Sequence, residues 1–133
     1  MSNIISVIKK LPGIESLAPV SREDICKAEA SLNLIFAQEY KEYLSVFGTI
    51  YSDVVAISGL GGKPYDDVIE LTEKCRSVNA QIPRTFYVVE DVGVDGLVIW
   101  QDESGTIYQS TPFRTPDKIC NTLSEYLEYV LKG

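Results

Sequence analysis

Two four-residue runs, Phe86-Tyr87-Val88-Val89 and Leu97-Val98-Ile99-Trp100, are apolar at every position. Runs of that length, rich in β-branched and aromatic residues, read as strands. A strand without polar alternation is covered on both faces or lies centrally in its sheet. The rest of the chain must therefore supply apolar cover, and its spacing does so. Ile4, Ile5, Ile8 and Leu11 recur at helical intervals until Pro12-Gly13. Ser21 with Asp24 marks a capped helix start, after which Ile25, Ala28 and Leu32 share one face. Tyr40, Tyr43, Leu44 and Phe47 form a second stripe that Gly48 ends. The short break at residues 33–37 makes these two helices a hairpin or corner.

Val54-Val55-Ala56-Ile57 reads as a first strand, running into the Gly59-Leu60-Gly61-Gly62 loop. Asp67 with Glu70 starts another helix, whose inner stripe is Val68, Leu71, Cys75 and Val78. Asp102-Glu103-Ser104-Gly105 is a turn into Thr106-Ile107-Tyr108, which gives a hairpin with the second apolar run. Thr115, with Pro116 behind it, is expected to cap a last helix with Ile119, Leu123, Leu127, Val130 and Leu131 inside. The class is α+β: a small, mainly antiparallel sheet with helices packed against it. The 133 residues suit a single domain, residues 1–133.

Composition limits the chemistry. No histidine is present, so Ser-His-Asp and Cys-His nucleophiles and histidine-ligated zinc cannot occur as such. Twelve basic and 19 acidic residues give a net charge of −7, which disfavours nucleic acid and anionic membrane surfaces as partners. Cys26, Cys75 and Cys120 are odd in number and scattered, as in a cytoplasmic protein with reduced thiols. No apolar stretch is long enough to span a bilayer, and the start lacks a signal-peptide pattern. Gly59-Leu60-Gly61-Gly62-Lys63 lacks phosphate-loop spacing, and the acid clusters match no calcium loop. No cofactor or metal is expected.

The acidic excess is uneven. Residues 51–103 carry four bases and ten acids, whereas residues 1–50 carry five and six and residues 104–133 three and three. A negative surface steers a basic partner. Tyrosine supplies contact area at small entropic cost, and Tyr65, Tyr108, Tyr126 and Tyr129 are the ones expected to face outward. Trp100, Tyr40 and Tyr43 are expected in the core. The candidate partner-binding residues are Tyr65, Asp66, Asp67, Glu90, Asp91, Asp95, Asp102, Glu103 and Tyr108. The turns on either side of Leu97–Trp100 fall at opposite ends of that strand, so their acids need not form one patch. The plainer alternative is that these acids are solvated turn residues. Paired carboxylates could also serve a small hydrolase, though no aromatic platform marks a cleft for one.

Residues 25–48 resemble the opening motif of the SUKH superfamily, in its Smi/Knr-like branch. Glu29 stands at that motif's acidic position, and Leu32-Asn33 stands for Leu-Gly. Phe36-Ala37 stands for Leu-Pro, Tyr40 is retained, Tyr43-Leu44 stands for Phe-Leu, and Gly48 keeps the stop. Residues 88–99, Val-Val-Glu-Asp-Val-Gly-Val-Asp-Gly-Leu-Val-Ile, are similar to the family's strand, acidic glycine turn and strand. The resemblance implies a SUKH-like fold and a non-enzymatic role with no catalytic residues. It implies an immunity protein that binds and occludes a secreted bacterial toxin, such as a nuclease with a basic surface. The alternative within the same resemblance is a regulatory or scaffold domain whose partner is not a toxin.

Overall fold

The computed structural model describes residues 3–133. In chain order the elements are α1 (Ile4–Lys9), β1 (Glu15–Ser16), α2 (Arg22–Leu32), α3 (Gln38–Phe47), β2 (Ile50–Tyr51) and β3 (Ala56–Ile57). A 3-10 turn (Pro64–Asp66) leads into α4 (Val68–Val78). Then come β4 (Tyr87–Asp91), β5 (Val98–Gln101), β6 (Ile107–Ser110), β7 (Asp117–Cys120) and α5 (Leu123–Leu131). Two antiparallel sheets result, a small one ordered β1-β2-β3 and a larger one ordered β4-β5-β6-β7. The architecture is α+β, as the sequence pattern requires.

The two apolar runs are covered on both faces. Tyr87, Val89, Ile99 and Ile107 pack with α1, α3 and α5 in the main core. Val88, Val98 and Trp100 point the other way and pack with Leu71 and Cys75 of α4, Ile82 and Phe86. The period of two along each strand sends successive side chains to opposite faces. Tyr40, Tyr43 and Trp100 are buried, and the Trp100 indole N–H donates to Ser110 Oγ at 2.8 Å.

The caps at Ser21 and Asp67 form where the sequence places them. Ser21 Oγ accepts from Asp24 N–H at 3.1 Å, and Asp67 Oδ1 accepts from Ile69 and Glu70 N–H at 2.8 and 3.1 Å. The α2–α3 corner shows how the departures from the SUKH motif are absorbed. Asn33 takes the left-handed C-cap conformation, φ 54°, which asparagine tolerates better than most residues with a Cβ. Ala37 has an amide hydrogen where the motif's proline has none, and that N–H donates to Tyr87 Oη at 2.9 Å. Glu29 accepts from Phe36 N–H at 2.8 Å and pairs with Lys41 at 3.6 Å, closing the corner.

Tyrosine hydroxyls fix the small sheet. Tyr43 Oη accepts from Ile50 N–H at 3.1 Å and donates to Ile57 O at 2.8 Å, while Tyr40 donates to Ser58 O at 3.0 Å. Ser58 N–H and Oγ then donate to Val89 O at 2.8 Å and Val88 O at 2.6 Å. Thr72 Oγ1 accepts Val88 N–H at 3.0 Å. The outer side of β4 is thus closed by neighbouring groups, which removes an edge open to further pairing. Gly48, at φ 73°, has Ala18 O where a Cβ would stand, so the helix stop is also a close backbone crossing.

Several expectations are corrected. Residues 54–57 are not one first strand. Ser52 Oγ draws the N–H groups of Val54 and Val55 into a turn at 3.3 and 3.0 Å, so β3 begins at Ala56 and two short strands precede it. Thr115 caps no helix, because its hydroxyl donates to Gln81 Oε1 at 2.7 Å. Residues 117–120 pair with β6 instead, and Thr122 caps α5 by accepting from Glu125 N–H at 3.0 Å. Ile119 is consequently 39% exposed rather than an inner residue, and Val78, at the end of α4, is 58% exposed. Tyr126 is buried, because α5 lays it over the sheet beside Glu90.

Candidate partner-binding face

The nine candidate residues fall into three groups. In the first, Tyr65 is 69% exposed on the turn before α4. Beside it Asp66 accepts the Tyr51 hydroxyl at 2.5 Å, and Asp67 is committed to capping α4. The Asp66 carboxylate, with smaller help from burial, lifts the Tyr51 hydroxyl to about 12.

The second group lies at the far end of β4. Glu90 is half-buried and receives the Tyr126 hydroxyl. Burial raises its carboxyl above the ordinary value, the Tyr126 hydrogen bond works against that rise, and Asp91 adds to it. Asp91 accepts Gly93 N–H at 3.2 Å. Val94 and Asp95 stand out at the tip of the turn, Val94 60% exposed and Asp95 at φ 53°.

The third group is the β5–β6 turn. Asp102 Oδ1 accepts from Ser104 N–H, Ser104 Oγ and Thr106 N–H, and Oδ2 accepts the Tyr108 hydroxyl at 3.0 Å. The Tyr108 ring stacks on Phe86 with centroids 4.2 Å apart. Glu103 is exposed.

Register separates the last two groups. Asp91 pairs with Val98, while Gln101 pairs with Tyr87 at the other end of β5. They are about 10 Å apart along the strand at the usual rise. The candidates whose side chains stand exposed are therefore Tyr65, Asp91, Asp95 and Glu103, and they do not form one patch. Asp67 and Asp102 shape turns, and Glu90 helps to hold α5.

One polar centre was missed by sequence reasoning. Glu39, in the first turn of α3, is only 7% exposed. Its carboxylate accepts from Leu123 N–H, Ser124 Oγ and Gln101 Nε2, the last at 2.7 Å. Gln101 Oε1 accepts the Tyr87 hydroxyl at 2.8 Å, and Tyr87 Oη takes Ala37 N–H. The network joins α3, β4, β5 and the N-terminus of α5, where a negative charge is favoured. Its only signal in the sequence is an acid immediately before Tyr40, the first residue of the aromatic stripe.

A cleft of about 370 Å³ between α2 and α3 carries two carboxylates, Glu29 and Glu42, but Glu29 is taken up by Phe36 N–H and Lys41. Among the described residues no group of three acids or thiols is placed to hold a metal ion. Burial pushes the Cys75 thiol up to about 11, away from nucleophilic character at neutral pH. Among the described residues no helix is long and apolar enough to cross a membrane.

A family model described as SUKH_5, SMI1-KNR4 cell-wall, matches residues 1–132 of the chain. Comparison with curated proteins gives no match.

Proposed function

Because the chain belongs to the SUKH (SMI1-KNR4) family, we propose that it works by binding another protein, as an immunity protein that occludes a bacterial toxin. The family match over residues 1–132 carries this proposal. The charge distribution supports it, since a chain of net −7 with exposed acids is attracted to the basic cleft of a nucleic-acid-cutting toxin. On this view it acts without covalent chemistry, by shape and charge. It resides in the cytoplasm of the producing cell, where its three free thiols stay reduced. The word "cell-wall" in the family description favours one second possibility, a regulatory module acting on a non-toxin protein.

The deciding experiment is co-expression with the toxic C-terminal domain of a secreted protein encoded beside this chain. Growth rescue together with co-purification of a stoichiometric complex is the expected result. Survival no better than with an empty vector, and no complex, would overturn the immunity role. Charge reversal at Asp91 and Asp95 is expected to slow association and flatten its salt dependence if the acidic turn meets the toxin.

A further inference from the structure

Two of the chain's four arginines line one cleft of about 410 Å³, Arg76 near the end of α4 and Arg84 on the loop that follows it. Glu73 is the one acid in the lining, so the cleft is net +1 (2 − 1) on a chain of net −7. Neither arginine forms an ion pair among the described residues. Like charges held near each other disfavour their own charged forms unless an opposite charge joins them.

Arg76 is fixed in place. Its Nη2 donates to Arg84 O at 2.6 Å and Phe86 O at 3.1 Å, and its Nε is buried without an acceptor among the described residues. Nη1 is left to serve the cleft. Burial and then the charge of Arg84 pull this guanidinium below its ordinary value, and the opposing pull of Glu73 is the smallest of the three. The nearby acid therefore does not cancel the field of the second arginine. Arg84 lends its carbonyl to this arrangement, but its exposed guanidinium holds no other part of the chain among the described residues.

The loop between the two arginines is set by contacts across the fold. Asn79, itself buried, donates through Nδ2 to Arg114 O at 2.9 Å and accepts Gln81 N–H at 3.0 Å. Gln81 Nε2 donates to Phe113 O at 2.7 Å on the neighbouring exposed loop. Ile82 is buried with Phe86 and Trp100 in the second core. Donors fixed before binding lose little freedom when a ligand arrives.

We infer that Arg76 and Arg84 form a binding site for a small oxyanion, a carboxylate or a phosphoryl group. The guanidinium fork matches either through charge-assisted N–H···O bonds. An anion between the two groups supplies the opposite charge that the fold does not. The site goes beyond the binding role proposed above, since it needs no protein partner.

Nitrogen–proton NMR titration of the full chain tests it, with inorganic phosphate and acetate as separate probes at constant ionic strength. The side-chain signals of Arg76 and Arg84 and the amides of residues 79–82 are expected to shift together and saturate, half complete below about 10 mM. Arg84→Gln is expected to weaken this binding at least tenfold, while its melting temperature in chloride stays at the wild-type value because the residue is exposed. Arg22→Gln removes the same charge from α2 and is expected to leave the affinity unchanged. Glu73→Gln is expected to tighten it, an effect that a purely structural arginine pair would not produce. Whichever probe saturates at the lower concentration names the group, phosphate a phosphoryl ligand and acetate a carboxylate. No saturation by either probe below about 50 mM would overturn the inference, as would equal affinity in wild type and Arg84→Gln. No toxin domain enters this titration, so its outcome and that of the co-expression are read separately.

Discussion

Alanine at position 39 should be among the most damaging single substitutions in this protein, although the residue is a glutamate on a helix. Its carboxylate is the acceptor for Leu123 N–H, and it shares Gln101 Nε2 with Gly105 O at 3.0 Å. Removing it leaves the Leu123 N–H buried and unpaired, at a cost of about 1–3 kcal/mol. Loss of a negative charge at the head of α5 adds about 0.3–1 kcal/mol. One buried methylene, Cγ, contributes about 0.8 kcal/mol. The sum is about 2–5 kcal/mol. Glu39→Gln keeps one oxygen for Leu123 and Gln101 and retains the methylenes. It loses charge assistance and turns an amide N–H₂ toward Ser124, costing about 1–2 kcal/mol. Urea unfolding followed by the fluorescence of the single tryptophan, Trp100, measures both. With a slope of about 1.5 kcal/mol/M, the alanine variant should unfold about 1–3 M earlier and the glutamine variant about 1 M earlier. Should alanine prevent folding, the glutamine midpoint carries the test. An alanine cost under about 1 kcal/mol, or a glutamine variant as stable as wild type, would refute the argument that this carboxylate ties α3, β5 and α5 together.

Other perturbations follow from single contacts. Burial raises the Glu90 carboxyl, so the folded chain holds that proton to higher pH than the unfolded chain does. Its contribution to stability is complete below the ordinary carboxyl range and is lost as pH rises through the raised value. Glu90→Gln should therefore gain on wild type as pH rises from 4 toward 7 in paired urea titrations; a gap that narrows would contradict this. Cys26 is exposed while Cys75 and Cys120 are buried, their thiols raised by desolvation. Mass spectrometry after brief iodoacetamide treatment at pH 8 should find one adduct, on Cys26, and three only after unfolding. Gly59→Ala should cost about 3 kcal/mol or more, because its Cβ would lie 1.7 Å from Gly48 O, whereas Gly61→Ala meets nothing and costs only about 1 kcal/mol for its φ of 86°. Equal melting temperatures for the two would dismiss the backbone crossing.

What could be read from the chain and what could not divides by the distance over which the deciding contact acts. Ser21 with Asp24 and Asp67 with Glu70 settle their helix starts within three residues, and both caps form. The all-apolar runs at 86–89 and 97–100 demand cover on both faces, and two cores meet them there. Thr115-Pro116 carries an equally good local signal for a helix start, yet the hydroxyl serves Gln81, 34 residues earlier, and β6 claims the next four residues. The same distance dependence hides the site. An acid in a turn is visible in sequence, but whether it caps, as Asp67 does, or stands free, as Asp95 does, depends on its surroundings. Phe113 carries no local mark at all. Its exposure is imposed by Asn79 and Gln81, residues 32–35 positions away that hold the loop's carbonyls. Helix stripes therefore suffice to place the inner faces of the helices. Strand β7 and the exposed loop beside it are determined by polar side chains reaching across the fold, and there the surface can change while the stripes that build the domain stay as they are.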